Sequence, residues 1–440
     1  MSHKKCFLSV LGCAFFAMTL ANFAQGQGTP IGDLTLGQVL HLAEKYSPTL
    51  KASLSRETEA QEFSRAADSG FFPDLGLAAV DSTGFPGSSS GFGTAGLDSF
   101  PGMVASPYRQ GPAASAYAKW DLLDLSVFHQ SASAHYKYDA SRLGTIFQAE
   151  LVDQQALNAY LEAVRLRGDR DAWKKLADEL SGILNTVKRF VRNGQYSEAQ
   201  GLLIQDQLSD AAYRAQDFDL QYLASLRSLA LLTGLETKVV SCPPPSSLPE
   251  EYNPSLESVG DSPLVLQAQF ETKSAEETAS QYSAENLPVL EVAGSAGFLD
   301  ETRLVSSQDY SLFVGISLPL FEGFRIDAEE KAAHAEAEAR REEVRSDQLE
   351  LDELNVRYAD EVERARSELK ILDDEREGAE KAVTESKERY LRFLGPLSDF
   401  QQALKDRVNM EVEMAEAKTS LWSAATSRYL LNGGTSDALK

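Results

Sequence analysis

Cysteine is nearly absent from this chain of 440 residues: there are three, Cys6, Cys13 and Cys242. The first two fall in an amino-terminal stretch that reads as an export signal. Lys4 and Lys5 give its positive end, Cys6 to Ala24 its apolar core, and cleavage fits after Ala24 or Gly26. Once residues 1–24 are removed only Cys242 remains, so no disulfide can form within the mature chain. Val10-Leu11-Gly12 before Cys13 faintly matches a lipid-attachment site, although the apolar run continues past it. Basic charge is also short, with 42 Lys and Arg against 66 Asp and Glu, a net charge of −24. Nucleic acid requires a basic surface and is excluded as a partner. The five histidines are scattered. His129 and His135 are six apart, a poor spacing for one helix face, and neither has the paired ligands of a metal site. After the signal no apolar run reaches the length of a membrane-spanning helix. No cofactor motif is present. Gly87-Ser88-Ser89-Ser90-Gly91 fits a nucleophile elbow only formally, because it lies in a Gly/Ser/Pro-rich stretch without the strand-turn-helix context. An enzyme is not expected.

Proline is missing between Pro112 and Pro243, and that gap holds the dominant pattern. Ala149, Val152, Ala156, Ala159, Ala163, Leu166, Arg170, Trp173, Ala177, Leu180, Leu184, Val187 and Val191 follow steps of three and four, with Arg170 the single break. Such a stripe must pack on another helix. A helix of about sixty residues is roughly 90 Å long, too long for one compact globule.

In order, Thr35–Tyr46 and Pro48–Ser69 read as helices. The period then changes to two: strands are expected over about 74–83 and 113–123, separated by a loop from about Gly84 to Pro112. In the second, Ala114, Ala116, Ala118, Trp120 and Leu122 share a face. Long helices over about 126–192 and 197–233 follow, with Asn193-Gly194 as their turn and Gly234 as the stop. Residues 241–261 form a Pro-rich linker.

The plan then repeats. Ser47-Pro48 matches Ser262-Pro263, and Phe72-Pro73-Asp74-Leu75 matches Leu287-Pro288-Val289-Leu290, both 215 positions on. Strands are expected over about 288–298 and 309–320, and long helices over about 323–394 and 397–431, turning at Gly395-Pro396. The first repeat is thus 27–240 and the second 262–434, with a tail at 435–440. The fold class is mainly α with a small β part: long antiparallel coiled-coil hairpins plus four strands per chain. Four alternating strands cannot close a barrel, and open edges cannot face lipid. Two copies give eight strands with a filled interior. Three give twelve, which can leave an aqueous lumen.

Together the order, spacing and duplication resemble the TolC-like outer membrane efflux protein family. The matching stretches are Leu34-Thr35-Leu36 to Pro48-Thr49-Leu50-Lys51-Ala52, Phe72-Pro73-Asp74-Leu75, and Ser317-Leu318-Pro319-Leu320-Phe321-Glu322-Gly323, with Gly194/Ser197 and Gly395/Ser398 at the turns. The resemblance implies a homotrimer in the outer membrane of a Gram-negative bacterium. Its twelve-stranded barrel would sit in outer-membrane lipid and its α-helical tunnel in the periplasm. It also implies a periplasmic adaptor, or membrane fusion protein, and through it an inner-membrane transporter, as in tripartite efflux or type I secretion. The turns that would gate the tunnel and dock the adaptor are Arg192, Gly194, Gln195, Tyr196, Ser197 and Glu198, and Gly395, Pro396, Leu397, Ser398 and Asp399. Ser197 and Ser398 suit N-caps. The family's acid six residues after the turn glycine is replaced by Gln200 and Gln401. Its aromatic three residues before that glycine is displaced to Phe190 and Tyr390. Lys119, Asp121 and Glu291, on polar strand faces, are lumen candidates. The Asp/Glu-rich stretch from Asp327 to Glu388 reads as a solvated helix face. A secreted coiled-coil stalk or adaptor without a pore is the rival reading, disfavoured because a stalk needs no alternating strands.

Overall fold

The computed structural model describes residues 34–82, 111–235, 241–243, 262–300 and 306–431. The export signal with Cys13, the loop holding Ser89, most of the Pro-rich linker and the tail lie outside the described residues. The elements are α1 (Leu36–Tyr46), α2 (Pro48–Asp68), a 3₁₀ turn (Ser69–Phe71), β1 (Asp74–Ser82), β2 (Gly111–Leu123), α3 (Leu125–Arg192), α4 (Glu198–Thr233), α5 (Pro263–Ala284), β3 (Val289–Asp300), β4 (Ser306–Ser317), α6 (Arg325–Leu391) and α7 (Leu397–Leu431). Two compact units result, and each draws on both sequence repeats. One comprises residues 1–51, 148–259 and 351–440, the other 52–147 and 260–350.

In the first unit α3 is packed on two sides. The expected stripe is buried at Val152, Ala156, Ala163, Leu166, Leu180, Leu184 and Val187. A second row the single seam did not contain is buried too: Leu157, Tyr160, Leu161, Leu176 and Ile183. The second row exists because α3 meets more than α4: the clusters around it also draw on α1, Cys242, α6 and α7. Towards α4, Arg170 resolves its break in the stripe by bonding Asp171 (2.7 Å) and Asp219 (3.4 Å), with its guanidinium over Tyr222. Towards α7, Arg407 makes a two-armed bond to Glu179 at 2.9 and 3.1 Å, and Lys175 bonds Glu411. α1 adds Leu36, Val39, Leu40 and Ala43, the face its spacing predicts. The linker's first residues are packed here as well. Ser241 accepts a hydrogen bond from Leu34 N, and Cys242 is fully buried in the same cluster. Gly234, at φ +65°, ends α4. The acidic face of α6 is exposed and laced with pairs such as Lys331–Asp327 at 2.8 Å.

In the second unit one antiparallel sheet runs β1-β2-β3-β4. Asp124 receives Ser126 N at 2.8 Å and starts α3. Close by, Trp120 Nε1 donates to Phe71 O and Phe71 meets Phe128 edge to face. α3 joins α5 through Ser133, which bonds Ser274 and Thr278 at 2.9 Å, and joins α2 through Ser131 to Asp68 at 2.6 Å. That bond, with His135 at 3.1 Å, holds the Asp68 carboxyl below its usual range.

The strand bounds differ from those expected. β4 begins at Ser306 and stops at Ser317, not Leu320, because Pro319 has no N–H for the ladder. β3 extends to Asp300. The pairing shifts after Asp121, so Leu123 stands opposite Leu290. This register shift ends the strict alternation just before α3.

Candidate functional site

The two helical turns of the first unit are built alike. In the first, Gln195 N donates to Phe190 O and Gly194 N to Val191 O, both at 2.9 Å, with Gly194 left-handed at φ +71°. This is a Schellman ending. In the second, Leu394 N donates to Arg389 O at 2.8 Å and Phe393 N to Tyr390 O at 3.1 Å, and the left-handed residue is Phe393, at φ +64°. Gly395 therefore does not correspond to Gly194; Phe393 does. A bulky residue there costs about 1–2 kcal/mol of backbone strain. Packing offsets it: the Phe393 ring centroid lies 4.8 Å from that of Tyr196 and 5.4 Å from that of Phe190.

This correspondence re-registers the site. α7 starts at Leu397, so Ser398 is its second residue and not an N-cap; its hydroxyl bonds Asp399 at 3.4 Å. Ser197 does occupy the N-cap of α4, but its side chain makes no capping bond. Counted from Phe393, Tyr390 stands three residues back. Asp399, not Gln401, stands six residues on. Asp399 is exposed, whereas its counterpart Gln200 is half-buried with Oε1 lacking a hydrogen-bond partner. A carboxylate at 200 would carry charge into that partly buried place. Gln401 is half-buried on α7.

The turns are joined within one chain by aromatic side chains. Tyr196 stacks on Tyr390 with centroids 5.0 Å apart and planes 7° apart, and its hydroxyl donates to the Tyr390 carbonyl. Tyr390 stacks in turn on Phe400. Tyr390 is 1% exposed. Burial, with Tyr196 beside it, pushes its phenol up to about 12. Leu397 is buried beneath. Arg192, Gln195, Glu198, Pro396 and Asp399 are exposed around this knot. A shallow groove between α6 and α7 adjoins it, lined by Gly378, Ala379, Ala382, Asp399, Gln402 and Asp406. Sequence reasoning missed Phe393, because only a backbone torsion marks it.

In the second unit, one face of the sheet carries Leu75, Leu77, Trp120, Tyr310, Leu312, Val314 and Ile316, all more than a third exposed. On the other face Lys119 Nζ sits 3.6 Å from Asp121 and 3.8 Å from Glu291. The three lumen candidates thus form one cluster spanning β2 and β3. Among the described residues no group of His, Cys, Asp and Glu is placed to hold a metal, and no helix is long and apolar enough to cross a membrane.

No curated protein matches the sequence. Residues 257–434 match the family model "Outer membrane efflux protein". The fold matches solved outer-membrane channels. The outer membrane protein VceC of Vibrio cholerae superposes with a TM-score of 0.77 at 16% identity, covering 91% of this chain and 96% of that one. CusC gives 0.80 at 11%, covering 93% and 96%. The CmeC outer membrane channel of Campylobacter jejuni gives 0.75 at 15%, covering 91% and 85%. The second repeat thus matches the outer membrane efflux protein family model, and the chain shares the fold of solved outer-membrane channels over nine-tenths of its length.

Proposed function

We propose that three copies of this outer membrane efflux channel subunit close one twelve-stranded barrel, and that the paired helical turns form the gate at its periplasmic end. The observation that carries the reading is the sheet. β1 and β4 are its edges, and one face exposes a band of large apolar side chains, with Tyr310 85% and Leu312 80% exposed. Neither feature is stable in water or lipid unless another copy takes the edges and lipid takes the face. Three copies give twelve strands and a lumen, with the Lys119, Asp121 and Glu291 face turned inward.

The conduit itself is passive. A periplasmic adaptor, coupled to an inner-membrane transporter, engages the exposed residues around the tip and the groove beside α7. Asp399 then contributes one carboxylate per copy to a ring at the entrance. The coiled-coil stalk is the lesser reading, because it gives the apolar sheet face nothing to do.

The test is the native mass of the mature protein extracted from the outer-membrane fraction. A three-chain complex that needs detergent supports the shared barrel. A water-soluble monomer or dimer overturns it.

A further inference from the structure

The polar face of the sheet carries two aromatic rings laid over glycines. Tyr117 of β2 stands opposite Gly76 of β1. Its ring crosses onto that glycine so closely that a Cβ there would lie 2.3 Å from Tyr117 Cζ and Oη. Phe313 lies along its own strand, where a Cβ on Gly315 would lie 2.4 Å from Phe313 Cζ. Both separations are far inside van der Waals contact. Glycine in a strand interior marks such a close approach. The register then sets Lys119, Ala293 and Phe313 in one row across the sheet. Ala293 is only 2% exposed, so its neighbours' side chains fold down over it. Strand side chains ordinarily stand roughly perpendicular to the sheet. Here the missing methyl groups at 76 and 315 leave recesses that let two large rings lie flat.

We propose that Gly76 and Gly315 set the bore of the channel by holding the Tyr117 and Phe313 rings against its inner wall. The inference rests on the reading that this face lines the lumen of a three-copy barrel. Each copy then contributes two rings presented face-on, so solutes meet an apolar aromatic belt beside the Lys119–Asp121–Glu291 charges. Bulky, partly apolar solutes pass a belt of this kind. Any side chain at position 76 displaces the Tyr117 ring from the wall into the passage, and the same holds for 315 and Phe313.

The test uses Ser317→Cys as a reporter. Ser317 is the last residue of β4, exposed, and on the polar face beyond both rings when approached from the hairpin loops. Cys242 is buried and stays silent. Intact cells are labelled from outside with a small charged maleimide and with maleimides carrying polyethylene glycol tails of increasing size. Adding Gly76→Val should slow the bulky probes severalfold and leave the small one unchanged. Adding Tyr117→Ala as well should restore the bulky rate, whereas Tyr117→Ala alone should change little, because the ring is already on the wall. Gly315→Ala, relieved by Phe313→Ala, gives the same readout from the second recess if the valine variant fails to assemble as a three-chain complex. Unchanged bulky rates in the glycine variants overturn the proposal. Slowing that persists after the ring is removed overturns it too. If no probe reaches the reporter thiol in the Ser317→Cys parent, the lumen reading is overturned, and the proposal with it.

Discussion

Removing one partner of the α3–α7 ion pair should cost far more than removing the other. Arg407 is 5% exposed and its guanidinium grips Glu179 with two bonds, while the Glu179 side chain is 29% exposed. Glu179→Ala strands a buried cation. Such orphaned charges cost about 3–5 kcal/mol. Glu411, 3.9 Å from Arg407 Nε, retains part of the attraction, which brings the expected loss to about 2–3 kcal/mol. Arg407→Met keeps the stem that packs between the helices and leaves a carboxylate that turns to water, a loss of about 1 kcal/mol or less. The assay is thermal unfolding of the detergent-solubilised protein followed by its helical circular dichroism signal. Because such unfolding is governed by rates, half-lives at one temperature should be compared as well. Glu179→Gln should fall between the two. If Arg407→Met destabilises as much as Glu179→Ala, desolvation of the arginine is not the controlling cost, and the expected asymmetry is refuted.

Three more outcomes are expected. Burial and the neighbouring Asp153 push the Glu150 carboxyl from its ordinary 4.5 up to about 8. The folded chain therefore holds that proton more tightly than the unfolded one. Its contribution to stability is complete below about pH 4.5 and is lost as pH rises through about 8. The thermal midpoint should accordingly fall between pH 5 and pH 9. Glu150→Gln should flatten that slope, and an unchanged slope would sink the assignment. Gly194→Ala meets no atom within 4 Å, so its cost is the left-handed backbone alone, about 1 kcal/mol; a neutral result in the same unfolding assay would show that the turn relaxes. Arginine at both Val314 and Ile316 should cost about 2–4 kcal/mol apiece near mid-membrane and abolish the three-chain complex; normal assembly would count against a lipid-facing band.

The long helices were legible because burial along them follows a period the sequence carries openly. Val152 to Val187 on α3 and Leu351 to Val383 on α6 show the same three-four spacing in both places. The hairpins were legible for the same reason, at period two. The second row on α3 was hidden because Tyr160 and Leu161 read as a flank until α1 and the start of the linker are known to pack in the same cluster. The turn at Phe393 was hidden for a different cause. Glycine is the usual signal for a left-handed residue, and a glycine two positions on drew the assignment to itself. Only contacts with Tyr196 and Phe190, about two hundred residues away, make phenylalanine tolerable there. The flat rings at Tyr117 and Phe313 were invisible because alternation says which face a residue takes and nothing about the angle at which it lies.

The unpaired edges of β1 and β4 have a genetic consequence. A chain that cannot satisfy its own first and last strands makes folding and assembly one event, so no copy is finished before its neighbours arrive. A variant that assembles normally but blocks the passage would then poison mixed barrels. Expressed equally beside the intact chain, it would leave only about one assembly in eight free of it if copies combine at random in threes. A variant unable to form its edges would never enter a barrel and would behave as a simple loss. Dominance in a cell carrying both forms thus sorts lesions of the bore from lesions of the edges.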